Sequence, residues 1–158
     1  LTLTLTLTLT RRALAPLGLR PLGARELLEG EAVAVVEADG VVICSPEYNR
    51  GTSGVLKNTI DWVSRISSDG ERALKPWKGK PVALGAASNG MLGGIRGLYH
   101  VRAVLMNCGC HILTEQTAVR QASKAFDEMG MLREASGRPL LDASCRALMD
   151  YCIAFSRR

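Results

Sequence analysis

Aromatic residues make up only 4% of the chain, so a folded core has to be assembled from Val, Leu, Ile, Ala and Met. No apolar run approaches the roughly 20 residues that cross a bilayer. The N-terminus lacks the charged-then-apolar layout of a secretory signal. Both absences point to a cytoplasmic protein with no membrane partner. Charge of one sign is thin as well. The formal net charge is +5, with Lys and Arg scattered and not interleaved with aromatics, which argues against nucleic-acid binding. Such a mild balance favours small anions such as nucleotide phosphates. Disulfide-framework spacing is also missing. Cys44, Cys108, Cys110, Cys145 and Cys152 form an odd set, which reads as reduced thiols. Cys108-Gly109-Cys110-His111 has no second ligand pair beside it. Structural zinc takes four ligands, so packing is expected there and no metal.

What is present suits one domain over residues 1–158, of which 1–23 form an atypical start. The first ten residues are a strict Leu-Thr alternation. Period two with a β-branched partner is a strand pattern with two unlike faces, which belongs at a sheet edge. Pro16, Gly18, Pro21 and Gly23 then predict an irregular connection. Ala24 to Ala38 carries a helical pattern weakened by Gly30, and Val41 to Cys44 reads as a buried strand. After a polar loop from Ser45 to Ser53, an apolar stripe of Val55, Leu56, Thr59, Ile60, Val63 and Ile66 predicts a helix.

The unit then repeats. Pro81 to Ala86 is a second buried strand, followed by a loop rich in Gly and Ser up to Gly94. A helix is predicted from Ile95 to Asn107, closed by Cys108-Gly109. His111 to Leu113 is a short third strand. A last helix, from about Leu140 to Phe155, carries a stripe of Leu141, Cys145, Leu148, Met149 and Cys152. Strands alternating with helices imply a parallel sheet covered on both faces, a doubly wound three-layer α/β/α fold. Ligands of such folds bind beyond the carboxyl ends of the strands. The loops at two of those ends, 45–54 and 85–94, combine glycines with Tyr48, Asn49 and Ser88. That set could close on a flat heterocycle. It is also a set of ordinary turn formers.

Ser45-Pro46-Glu47-Tyr48-Asn49, followed by Gly54-Val55-Leu56-Lys57-Asn58 and Asp61-Trp62-Val63-Ser64-Arg65, resembles the signature of the NADPH-dependent FMN reductase family. Lys75-Pro76, Gly79-Lys80-Pro81-Val82-Ala83, Ser88, Gly90-Met91, Gly93-Gly94, Arg96 and Tyr99-His100-Val101-Arg102 are similar to its bacterial chromate and quinone reductase branch. The match runs from about Ala38 to Glu115. This resemblance implies a flavodoxin-like fold, abbreviated at the N-terminus, with FMN and NADPH as cofactors. It implies that Pro46, Glu47, Tyr48 and Asn49 line the isoalloxazine ring, with Ser88, Gly90 and Gly93 forming the other wall. Electrons would pass from NADPH to a quinone, a flavin or a metal oxyanion in ping-pong order. No catalytic side chain is required, because hydride chemistry belongs to the cofactors. The helix after Asn49 would build a homodimer or homotetramer, with Arg96, Tyr99 and Glu115 at positions of subunit contact. His100 and His111 read as structural.

One part of the family pattern has no counterpart. A Gly-Ser-x-Arg-x-x-Ser-x-Asn loop normally places hydroxyls and a helix N-terminus around the FMN phosphate. Here only Thr10-Arg11-Arg12 offers a hydroxyl and positive charge. The alternative expectation is therefore a truncated, non-catalytic relative that serves as a fold or oligomer module.

Overall fold

In the computed structural model, residues 6–9, 35–36, 38–65 and 76–155 are described. A four-stranded sheet runs in the order β1 (Thr6–Leu9), β2 (Gly40–Cys44), β5 (Pro81–Ala87), β6 (His111–Val119). β2, β5 and β6 are parallel, while β1 lies antiparallel on β2. The Leu-Thr segment is thus an edge strand of this sheet, as its two-faced pattern predicts. Its antiparallel pairing makes the described sheet mixed. Ala24 to Ala34, Ile66 and Thr10-Arg11-Arg12 lie outside the described residues.

Alternation along the strands sorts the core into two layers. Val41, Ile43, Val82, Leu84 and Ala86 point to one face. There they meet Leu56, Ile60 and Val63 of α1 (Gly54–Val63), and Leu98, Val101 and Leu105 of α2 (Ile95–Asn107). Ala83 and Leu113 point to the other face, where Leu148 of α4 (Arg138–Phe155) seals them. A short helix, α3 (Ala122–Ala125), and a 3-10 turn at Glu134–Ser136 connect β6 to α4. This is the three-layer α/β/α arrangement.

Two helical stripes are narrower than the sequence suggests. Val55 is 71% exposed although its neighbours Leu56 and Ile60 are buried, because it sits on the first turn, beyond the sheet. In α4 only Ser144 and Leu148 are buried, while Cys145 and Met149 are open. Among the described residues α4 is the helix that rests on that face, and it buries one row of side chains.

β6 extends six residues past the predicted end at Leu113. Thr114, Glu115 and Gln116 look like a loop in sequence, but they form an irregularity in the ladder between Val82 and Leu84. Arg102 on α2 donates to the carbonyls of Ile112 and Leu113 and to Gln116 Oε1. These bonds satisfy acceptors that the irregularity leaves out of the ladder. Trp77, 3% exposed, fastens the connection before β5. Its Nε1–H donates to Ile60 O, and its carbonyl accepts from the Cys110 thiol.

Candidate functional site

β2 and β5 end side by side, with Cys44 opposite Gly85, and the Ser45 N–H donates to Gly85 O at 2.9 Å. Both glycine-containing loops therefore leave the sheet from one rim. The first loop folds back on itself. Glu47–Tyr48 (β3) pairs with Gly51–Thr52 (β4) around Asn49 and Arg50, whose φ angles are +49° and +66°. Positive φ at both central residues is what a type I′ turn requires. Asn takes that conformation readily, whereas Arg does so at some strain. Ser53 then caps α1, its side chain accepting from Leu56 N.

The hairpin is tied down by Glu47. Its Oε1 accepts from Arg96 Nε at 2.9 Å and Arg96 Nη2 at 2.5 Å, and its Oε2 accepts from the Arg96 and Gly97 backbone N–H groups at 3.1 and 3.2 Å. α2 begins at Gly94, which has no capping side chain. A carboxylate from another loop thus does the capping and complements the positive end of the helix. The Arg96 guanidinium holds the Glu47 carboxyl below the usual carboxylate range. Gly97 makes the approach possible, since a Cβ there would stand 3.2 Å from the Glu47 Cα.

The second loop is tied to a third strand tip. Ser88 N donates to Val119 O, and Ala122 N donates to Ser88 O. Asn89 Oδ1 accepts from Ser123 N at 2.8 Å, and Ser88 Oγ accepts from Gly90 N. Gly93 is buried at φ +61°, and a Cβ there would lie 2.8 Å from Ala118 C and O.

Of the seven residues the resemblance points to, Tyr48, Asn49, Ser88 and Gly90 stand open or half-open on this rim, and Pro46 is half-buried behind them. Glu47 spends its carboxylate on the clamp, and Gly93 spends its missing side chain on packing. Nothing in the local pattern marks Asn89 or Gly97 as parts of the scaffold. Arg96, which the resemblance puts at a subunit contact, also holds the hairpin. The signal that could have found it is an uncapped glycine start to a helix with an unmatched acid on the preceding strand tip. His100 lies exposed beside Gly51, and the His111 ring sits 5.0 Å from that of Phe155. Cys108 and Cys110 are buried, and burial pushes the Cys110 thiol up to about 12.

Such a rim suits the edge of a planar heterocycle: an aromatic ring, an amide and a hydroxyl stand around open backbone. Residues 30–124, more than half of the chain, match the sequence profile of the NADPH-dependent FMN reductases. The chain belongs to that family. It is 38% identical over 112 residues to an NAD(P)H-dependent FMN reductase of Pseudomonas aeruginosa, covering 70% of this chain and 57% of that protein. It is 44% identical over 79 residues to a quinone reductase of Escherichia coli, covering 50% and 39%. The chain therefore spans about half the length of the relatives it matches. Among solved structures, FerB, a flavoenzyme NAD(P)H:(acceptor) oxidoreductase from Paracoccus denitrificans, superposes with a TM-score of 0.69 at 23% identity, covering 87% of this chain and 76% of that one. That likeness establishes the flavodoxin-like fold.

β1 pairs Leu9 with Gly40 and Thr6 with Ile43. It therefore ends at the edge of the sheet opposite the Ser45 and Ser88 loops.

Proposed function

We propose that this protein is an NAD(P)H-dependent oxidoreductase that uses FMN to pass electrons from NADPH to a quinone, a flavin or a metal oxyanion such as chromate. The observation that carries the reading is the shared rim, where two loops of the family signature are locked together by Glu47 and Arg96. Its donor set fits a flavin ring edge. Asn49 can both donate and accept at a pyrimidine-like edge, Tyr48 offers a ring face or edge, and Ser88 offers a hydroxyl. Bound there, the flavin supplies the hydride and electron chemistry. The chain's own residues hold, orient and shield. The type I′ turn presents Tyr48 and Asn49, Glu47 keeps that turn in place, and the Ser88–Gly90 turn forms the facing wall.

The same reading includes a cytoplasmic homodimer or homotetramer. α1 and α2 cover one face of the sheet and leave Trp62, Tyr99 and Met106 exposed, which supports self-association there.

The test is direct. Purified protein supplied with FMN should be yellow after desalting and should oxidise NADPH when a benzoquinone is present. A colourless protein that stays inactive after added FMN would reject the reductase reading in favour of a non-catalytic module. Comparing NADPH with NADH as donors would fix the nucleotide preference.

A further inference from the structure

α4 crosses the face it covers, from Thr117 of β6, where Ser144 lies, to Gly40 of β2, where Cys152 lies. The Cys152 Sγ lies 2.6 Å from where a Cβ on Gly40 would stand, and Leu148 Cδ1 lies 3.1 Å from it. Gly40, Val42 and Cys44 share a sheet face by alternation, and Val42 packs with Leu148 and Cys152. Moving from Gly40 to Cys44 advances about 13 Å along a strand. Moving back from Cys152 to Cys145 is two helical turns, about 10.5 Å, and returns to nearly the same side of the helix. Cys145 therefore lies level with the Cys44 end of β2, as Cys152 lies level with the Gly40 end.

Two contacts support that register. Ser144, next to Cys145, has its Oγ 3.3 Å from Thr117 Oγ1, and Thr117 pairs with Gly85, the neighbour of Cys44 across the ladder. The Cys44 Sγ leans over Gly85, 3.2 Å from where a Cβ there would stand. Cys108 and Cys110 belong to the opposite face of the sheet, so neither competes.

We propose that Cys44 and Cys145 are an oxidative modification site, closing a reversible disulfide between the tip of β2 and α4 when a peroxide is present. Cys145 is exposed. Burial, and then the nearby Cys145, push the Cys44 thiol up, although Cys44 as a whole residue is exposed. Its sulfur is the inward-turned part. Cys145 thus meets the oxidant first. Its sulfur attacks the peroxide, forming an S–O bond as the O–O bond breaks, and the first water leaves with the thiol proton. The Cys44 sulfur then attacks that sulfur. The S–S bond forms, the S–O bond breaks, and the second water leaves. The two sulfurs have given two electrons to the peroxide. A dithiol reverses the step. The consequence falls on the candidate site, because Ser45 and its loop follow Cys44 directly. The bridge itself needs no flavin and does not depend on the reductase reading.

The full chain should lose the mass of two hydrogens on treatment with hydrogen peroxide, and under denaturing alkylation should then take up two fewer N-ethylmaleimide groups than the untreated chain. It should yield a linked peptide pair containing Cys44 and Cys145, and dithiothreitol should restore the thiols. Cys152→Ser should retain the link. Cys145→Ser and Cys44→Ser should each abolish it while melting like the parent under reducing conditions. Oxidation that stops at a sulfenic or sulfinic acid on Cys145 with Cys44 still alkylated would overturn the proposal. So would a link that runs to Cys152 or between two chains.

Discussion

The Glu47 carboxylate accepts four hydrogen bonds, all from two consecutive residues of α2, and so ties the hairpin to that helix. Removing its charge with Glu47→Gln should free the hairpin and weaken FMN binding roughly ten- to hundredfold, the equivalent of one charge-assisted bond, measured by flavin fluorescence quenching. Its pKa is lowered from 4.5 in the folded state. The clamp's stability is therefore fully present above about pH 4.5 and fades as pH falls through the lower folded value. Urea midpoints should drop on acidification in the parent and drop less in Glu47→Gln. Tyr48→Ala with Asn49→Ala should weaken flavin binding by about tenfold or more while leaving the circular dichroism spectrum unchanged; unchanged affinity would remove those two residues from the site. Gly93→Ala is the opposite case. It puts a Cβ 2.8 Å from the Ala118 backbone at φ +61°, and should cost roughly 1–3 kcal/mol of stability in urea. The residue types at the rim were legible in the sequence, because Tyr, Asn, Ser and Gly clustered on consecutive strand ends point to a ligand or a turn. Which of them face a ligand was not legible. Glu47 and Gly93 look the same in a motif as Tyr48 and Gly90, and only their tertiary partners separate them.

Elements were read best where burial is two-sided or strongly periodic. β5 and α2 follow their predicted spans closely, since a continuous apolar run and a clear stripe leave little alternative. β6 was read short because its outer half carries Thr114, Glu115 and Gln116, and the strand there is steadied by Arg102, ten or more residues away in sequence, which donates to the Leu113 carbonyl and the Gln116 side chain. Local pattern cannot report such a distant donor. The hairpin at Glu47–Thr52 was missed for a related reason: its turn is Asn-Arg, not Asn-Gly, and so lacks the usual hairpin signal. α4 rests on the sheet chiefly through Leu148, which is fully buried. Leu148→Ala should cost about 2–5 kcal/mol, seen as a lower urea midpoint. It should also raise the accessibility of Cys152 to alkylation, since both side chains pack against Gly40.

At the scale of the molecule, the parallel three-strand core and its two helical layers followed from the alternation of strands and helices, but the direction of the first strand did not. Pairing is set by what lies beside a strand, and a Leu-Thr repeat accepts either direction equally well. Association through the α1 and α2 face predicts that Trp62→Asp elutes as a smaller species in size-exclusion chromatography than the parent. Among the described residues β1 has a strand neighbour on one side only. Its sequence offers none of the lysines, prolines or bulges that normally discourage a further strand from adding. A run of bare amide groups with no gatekeeper is a growing end. At low ionic strength the net charge of +5 keeps copies apart, and added salt screens that repulsion. Light scattering should therefore rise with sodium chloride, and replacing Thr6 or Thr8 by Lys should suppress the rise.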